Sequence, residues 1–434
     1  MRYEFEKLLR GRKLSLFVTL TLLGVYLYFA FNGSYTTFSG VSLENFWKDS
    51  EYRHWRMSQE TELVDDEWIE NVKAEYKAFL DENVLSPEEI AQNITTKKAE
   101  GYQIDYTVEE ALHDPYNFEY AFAILPYDAY HSRQMDYTFL VAFNTYVPLA
   151  ENPVQYIHDK YKVSNYYMEK DTGMTYAEYM GYSATQAEDY WDFIDTTYGD
   201  LELTIGYNLG WDVLCSVMQF LPFTLGMALI VVLSNLFSQE QMEHMTPILR
   251  TTKHGRSTLL RRKLIVTMTV VTCLWLFFQV AMLLAVSLTY TLKGASCTAM
   301  CFSGKPSLYC LTWIEYYLIT CIFSYLGTMV FSLFVCCMSS LLKLRLSMPI
   351  NLVLTLLSGI PLDRFCYADK AFKFLDKLRV LTPAQLMASY PTLQVYQSFE
   401  FGSVIIQLPY MMAIAIVIEA IILLFVLRRR EGGK

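Results

Sequence analysis

The stretch FSQEQMEHMTPILRTTKHGRSTLLRRKL, Phe237–Leu264, is a polar, basic island between two long apolar runs. Upstream, 213–238 holds 26 residues without charge, and downstream, 264–292 holds 29. A helix crosses the hydrocarbon core of a bilayer with about 20 apolar residues. Both runs therefore predict transmembrane helices, with the island as the short loop joining them. Four more apolar runs have comparable length: 14–31, 316–342, 346–362 and 401–427, of 18, 27, 17 and 27 residues. The fifth in chain order carries Pro349 and ends in Gly359–Ile360–Pro361, which predicts a bent or incomplete crossing.

Composition agrees with a membrane chain. Charged residues are 18% of the 434, against about 25% in soluble domains, and hydrophobic residues are 53%. The charge is divided unevenly. Residues 32–208 hold 33 Asp and Glu against 11 Lys and Arg, a net of −22. The remainder holds 12 acids and 24 bases, a net of +12, and the two sum to −10. Basic residues gather in the N-terminal tail, in the island, at Lys343 and Arg345, and at Arg428–Arg430. Positive residues in short loops mark the cytoplasmic side. The predicted fold is thus a polytopic α-helical membrane protein with six transmembrane helices and both termini inside. A large, mainly helical extracellular domain, 32–208, lies between helices one and two. Segment 1–13 reads as an interfacial cytoplasmic helix, 239–263 as a cytoplasmic loop, 293–315 as an outer loop, 363–400 as an outer helical segment and 428–434 as a cytoplasmic tail. The first run has the basic flank of a cleaved leader, but 18 apolar residues followed by a poor cleavage site predict a retained span.

Within 32–208, the segment 65–83 places Trp68, Val72, Tyr76 and Phe79 at helical spacing, with Asp65 and Asp66 at its positive end. SPEEI at 86–90 combines a capping serine, a first-turn proline and early glutamates. Segment 175–199 is helix-rich, with Gly181 as a break, and 135–149 is compatible with a strand. None of the nine cysteines lies in 32–208, so this domain is stabilised by its own core. Cys297, Cys301, Cys310 and Cys366 fall near the outer face, as pairs or as free thiols.

Catalytic chemistry leaves no trace in the sequence. There is no GxxxxGK[ST] phosphate loop, no HExxH and no GxSxG, so no catalytic, cofactor-binding or metal-binding residue is expected in this chain. Glu240, Glu243 and His244 share a helix face but read as a solvated polar surface. Glu315, the one charge between Lys305 and Lys343, is a candidate pathway residue, although its position at the outer end of a span favours plain interfacial exposure.

The island itself has the grammar of helix, stop and span. Met242, Met245, Ile248 and Leu249 form an apolar stripe, Glu240 and Glu243 lie at the start of the helix, and Arg250 and Lys253 near its end. Gly255 is a natural stop, and Ser257 can cap the next helix. This pattern resembles the cytoplasmic loop after the second span in type-two (ABC2) permeases of bacterial ATP-binding-cassette exporters. Glu240, Leu249–Arg250–Thr251, Gly255–Arg256 and Lys263 match that loop, and Thr246 stands where a glycine is common. LTPAQLMA, 381–388, resembles a recurring segment of the same family. The resemblance implies a coupling helix over 239–256, with Glu240, Glu243, Met245, Ile248, Leu249, Arg250, Thr251, Gly255, Arg256 and Lys263 engaging a separate ATPase. It further implies two ATPase copies holding ATP and Mg, a second permease (the same chain or a paralogue), lipid contact and no nucleic acid. The cargo would be an amphipathic peptide, a lipid or a hydrophobic drug. An alternative reading is a membrane-anchored sensor or interaction protein whose acidic outer domain captures a ligand or partner.

Overall fold

Apolar runs fold as helices because a helix satisfies its own backbone hydrogen bonds without water. The computed structural model describes the chain except residues 1–12, 33–42, 100–103, 105, 114–119, 131–137, 173–174, 176, 178–181, 235–254, 302–304, 343, 361–369, 389–392, 395 and 433–434. The expected N-terminal interfacial helix and most of the island lie outside the described residues. The fold is mostly helical. Its apolar helices are α1 (Lys13–Phe31), α2 (Leu209–Leu233), α3 (Gly255–Thr289), α4 (Trp313–Leu341), α5 (Leu344–Ser358), and, after the amphipathic α6 (Lys370–Val380), α7 (Leu408–Leu427). Among the described residues, four helices are long and apolar enough to cross a membrane, lying in α2, α3, α4 and α7; α1 and α5 are shorter. At about 1.5 Å per residue, the 15 residues of α5 span roughly 22 Å, less than a bilayer core of about 30 Å.

The chain divides into two compact units. One is Glu62–Val163 with Ile194–Ile205, narrower than the 32–208 insert; the other holds the remaining segments and all seven labelled helices. In the smaller unit, a two-residue antiparallel pairing of Glu62–Leu63 with Thr204–Ile205 joins its two chain segments. Helix Asp66–Asn83 begins where Asp65 accepts the Trp68 N–H at 2.9 Å. It buries Ile69, Val72, Tyr76 and Leu80. Trp68 and Phe79, expected on that stripe, flank it half-buried, because the buried face is centred on 69, 72, 76 and 80. Helix Pro87–Ala99 starts as expected, with Glu89 accepting hydrogen bonds from Ser86 Oγ at 2.7 Å and from its N–H at 2.9 Å. These bonds hold the Glu89 carboxyl below the usual range, so this capping contribution is present at neutral pH and lost as acid protonates it. The described part of 135–149 is helical, not strand. A π-turn at Ala142–Tyr146 continues into Val147–Glu151, and Phe139 and Phe143 pack on Tyr76.

In the larger unit, α4 is the central element and packs on α2, α3, α5 and α7. Its buried Thr320, Ser324, Thr328 and Ser332 recur every four residues, so one face is small and lets neighbouring backbones approach. Gly327 lies beside the backbone of Leu386, where an added Cβ would fall on the Leu386 carbonyl. The segment 381–388 thus ends as a short 3₁₀ turn, Gln385–Ala388, seated on α4. Arg379 of α6 donates to the Ser358 carbonyl at 3.0 Å, a cation at the C-terminal end of α5, and pairs with Asp376 at 2.7 Å.

Two predicted span boundaries are corrected. The first part of the 401–427 run is a β-hairpin: β1 (Ser398–Phe401) pairs with β2 (Val404–Gln407) around Gly402, whose φ is +67°. Its β-branched Val404, Ile405 and Ile406 favour strand, and Pro409 in the first turn of α7 starts the helix at Leu408. Helix α2 begins at Leu209 instead of 213, with Asp212 buried in its first turn, where the helix dipole favours an acid. Pro222 withholds an N–H, and the ladder relaxes through 3₁₀ and π-turns over Met218–Gly226 before resuming.

Three helix ends are fastened together opposite the arginine end of α3. Tyr207 donates to the Tyr290 carbonyl at 2.5 Å, and Tyr290 donates to the Ala30 carbonyl at 2.7 Å. The Trp211 indole donates to the Leu292 carbonyl at 3.1 Å. Gly210 and Gly294 permit this approach: a Cβ on either would strike the Thr291 or Tyr207 carbonyl, and Gly294 has φ +69°. Phe46 and Trp47 cover Tyr290 with centroids at 5.2 and 5.7 Å. Tyr290→Phe should lower thermal stability modestly, by roughly 0.6–1.7 kcal/mol for one buried hydrogen bond. Gly294→Ala should cost more, about 1–3 kcal/mol, from overpacking in a left-handed backbone. Unfolding of the detergent-solubilised variants tests that order.

Candidate functional site

The island's structured end is the start of α3. Gly255 and Arg256 form its first turn, whereas Glu240, Glu243, Met245, Ile248, Leu249, Arg250 and Thr251 lie outside the described residues. From there α3 runs 35 residues, or about 52 Å at 1.5 Å per residue, well beyond a hydrocarbon core of about 30 Å. Arg261 and Arg262 are exposed and, among the described residues, make no ion pair or hydrogen bond. Lys263 differs: only 2% exposed, it turns into the bundle, and Thr267 one turn on lies 3.9 Å from the Cys336 sulfur. Of the basic residues matched to a docking loop, Lys263 is therefore an interior group. The arginine turn Arg428–Gly432 after α7 packs against α3 as well, so two basic segments share one neighbourhood.

The expected pathway residue, Glu315, is taken up by its own helix end. Its carboxylate accepts the Thr312 N–H at 3.0 Å and the Thr312 hydroxyl at 2.8 Å, and its N–H faces the Thr312 oxygen at 3.5 Å, a capping box for α4. It is exposed to the outside of the unit. Two other acids, in α2 and α7, are better placed in the interior. Asp212 is fully buried in α2, with Ser216 Oγ donating to it at 3.3 Å. Glu419 sits within the 401–427 run, which is therefore not free of charge. It lies on the α7 stripe of Ile416, Ala420 and Leu423, the last two packed on a cluster with Val330 of α4, and its buried Oε2 has no hydrogen-bond partner. A charge inside an apolar run was the available signal for Glu419. Asp212 directly precedes the uncharged run that begins at Val213, so run length alone does not reveal it.

Between α3 and α4 an apolar groove of about 540 Å³ opens along the Leu264–Cys273 segment, opposite Tyr325 and Met329. Thr272 and Tyr325 satisfy each other across it at 3.0 Å, and Trp275 donates to Ser324 Oγ at 3.3 Å. Among the described residues no group of three or more His, Cys, Asp or Glu could hold a metal ion. Compared with family models, curated proteins and solved structures, the chain matches none.

Of the four cysteines expected near the outer face, Cys297 and Cys310 are free thiols. The Cys301 side chain and Cys366 lie outside the described residues. Burial raises Cys297, with Thr61 Oγ1 3.7 Å from its sulfur, and pushes Cys310 up to about 12. The thiolate is the reactive form. Maleimide labelling of native Cys310 should therefore be slow at pH 7, rise with pH between 7 and 9 as the small thiolate fraction grows, and become fast on unfolding. Mass spectrometry of labelled peptides reads all three.

Proposed function

We propose that this chain is the membrane permease subunit of an ATP-binding-cassette exporter, with six crossings. Both termini and 239–263 face the cytoplasm, and 32–208 lies outside. The reading is supported above all by α3, an unbroken helix from Gly255 to Thr289 that carries its arginines at one end. A push on the segment just before Gly255 would travel along a rigid rod into the bundle, because no Pro or Gly interrupts it after Gly255. At its far end the Tyr207–Tyr290–Ala30 knot gives the rod a fixed point.

In this proposal 239–256 is a coupling helix. Met245, Ile248 and Leu249 fill a cleft of a separate ATPase, and Glu240, Glu243, Arg250 and Arg256 set its orientation. ATP hydrolysis, with Mg, belongs to that partner, and two ATPases with two permeases complete the unit. The cargo is an amphipathic peptide, a lipid or a hydrophobic drug carried outward. Asp212 and Glu419, acids within apolar helices, are the interior groups where a polar part of that cargo would be felt.

Co-expression with a phosphate-loop ATPase of the same host tests the coupling. Replacing Met245, Ile248 and Leu249 together by Asp should reduce co-purification roughly tenfold or more and abolish permease-dependent ATP hydrolysis. Unchanged co-purification and unchanged stimulation would remove the coupling role.

A further inference from the structure

The α3–α4 groove is mainly apolar and lies one helical turn from a pair of exposed arginines. Along α3, residues 261, 265, 268 or 269, and 272 follow at helical spacings, so Arg261 continues the face that lines the groove. Arg262 lies beside it, one helical turn before Ile265. Both guanidinium groups are exposed and, among the described residues, unpaired, whereas buried Lys263 points elsewhere. The turn Arg428–Gly432, packed against α3, brings Arg428, Arg429 and Arg430 to the same helix. Beyond Arg261 the wall is Ile265 and Met268, then Tyr325 and Met329 of α4. The hydroxyls nearest the groove are already engaged: Thr269 Oγ1 donates to the Ile265 carbonyl, and Thr272 and Tyr325 bond each other. A cavity with cations at one end and apolar walls with satisfied hydroxyls beyond matches a molecule with an anionic head and a hydrocarbon tail.

We propose that this groove binds one acyl chain of an anionic phospholipid from the leaflet on the arginine side, with Arg261 and Arg262 holding its phosphate. Arginine suits this role because its fork donates two parallel hydrogen bonds to phosphate oxygens, and its stem lies along apolar surface while its head reaches the interface. Arg428–Arg430 raise the local positive potential and bias the choice towards anionic headgroups. The bound lipid ties α3 to α4 near the start of α3. The proposal rests on membrane placement alone and stands whether or not the chain exports anything.

Native mass spectrometry of the purified full chain tests it, after equilibration in mixed micelles of phosphatidylglycerol and phosphatidylcholine. The native chain should retain phosphatidylglycerol with roughly 30-fold preference, as expected for two interfacial arginines. Arg261→Gln with Arg262→Gln should cut that preference several-fold, to the remainder that Arg428–Arg430 supply, without changing the unfolding temperature, and the matching Arg→Lys pair should restore most of it. Thr269→Trp fills the groove and keeps the arginines, so retention of both lipids should fall several-fold. Equal retention of the two lipids by the native chain, or an undiminished preference in the Arg→Gln pair, would overturn the headgroup assignment. Unchanged lipid retention in Thr269→Trp would mean that the groove is covered by something else, such as a second copy of the chain, and would overturn the acyl-chain site.

Discussion

Tyr290 ties three chain segments to one point. Its hydroxyl is bound to the end of α1, its carbonyl is held by Tyr207 ahead of α2, and it follows directly on α3. In an environment poor in water these bonds have no competitor, and each unmade one would leave a buried polar group unsatisfied. The knot also needs two residues without side chains. Gly210 and Gly294 let backbones pass where a methyl group would collide with a carbonyl. With one end of α1, α2 and α3 fixed in this way, their orientation is set there. The stacked Phe29 and Phe220 rings, with centroids at 3.9 Å, extend the same α1–α2 contact away from the knot.

The second organising element is α4, whose small buried face accepts neighbours on several sides. The segment from α6 to β2 is held by contacts distant in sequence. Gln186 donates to the Ser398 carbonyl and hydroxyl at 2.9 and 3.0 Å, Tyr182 donates to the Tyr396 carbonyl, and Tyr396 donates to Asp189. This explains why Ser164–Phe193 groups with the apolar helices instead of with Glu62–Val163 and Ile194–Ile205.

Much of this architecture was legible because it is local. Apolar runs located α1 to α5 and most of α7, and Asp65 and Ser86 announced helix starts that the structure contains. The hairpin at Ser398–Gln407 was not legible: in a window dominated by hydrophobicity, strand and helix differ only through β-branching and one glycine. The Gln186–Ser398 clasp joins residues 212 apart and leaves no periodic mark on either segment. Among site residues, the arginines were visible as charges, but the inward turn of Lys263 depends on helix phase against its neighbours. Glu315 was read as a pathway candidate or an interfacial group, and its capping box was already spelled by Thr312 three residues before it.

The proposed function turns on direction across the bilayer: the basic start of α3 inside, the acidic insert outside. Single cysteines placed at Thr258 and Lys293 in a cysteine-depleted chain, labelled with a membrane-impermeant maleimide on intact cells, read that direction. A chain oriented as proposed is labelled at position 293 in intact cells and at position 258 only after permeabilisation. Labelling of 258 without permeabilisation, or equal labelling of both positions, would contradict the orientation and with it the permease reading.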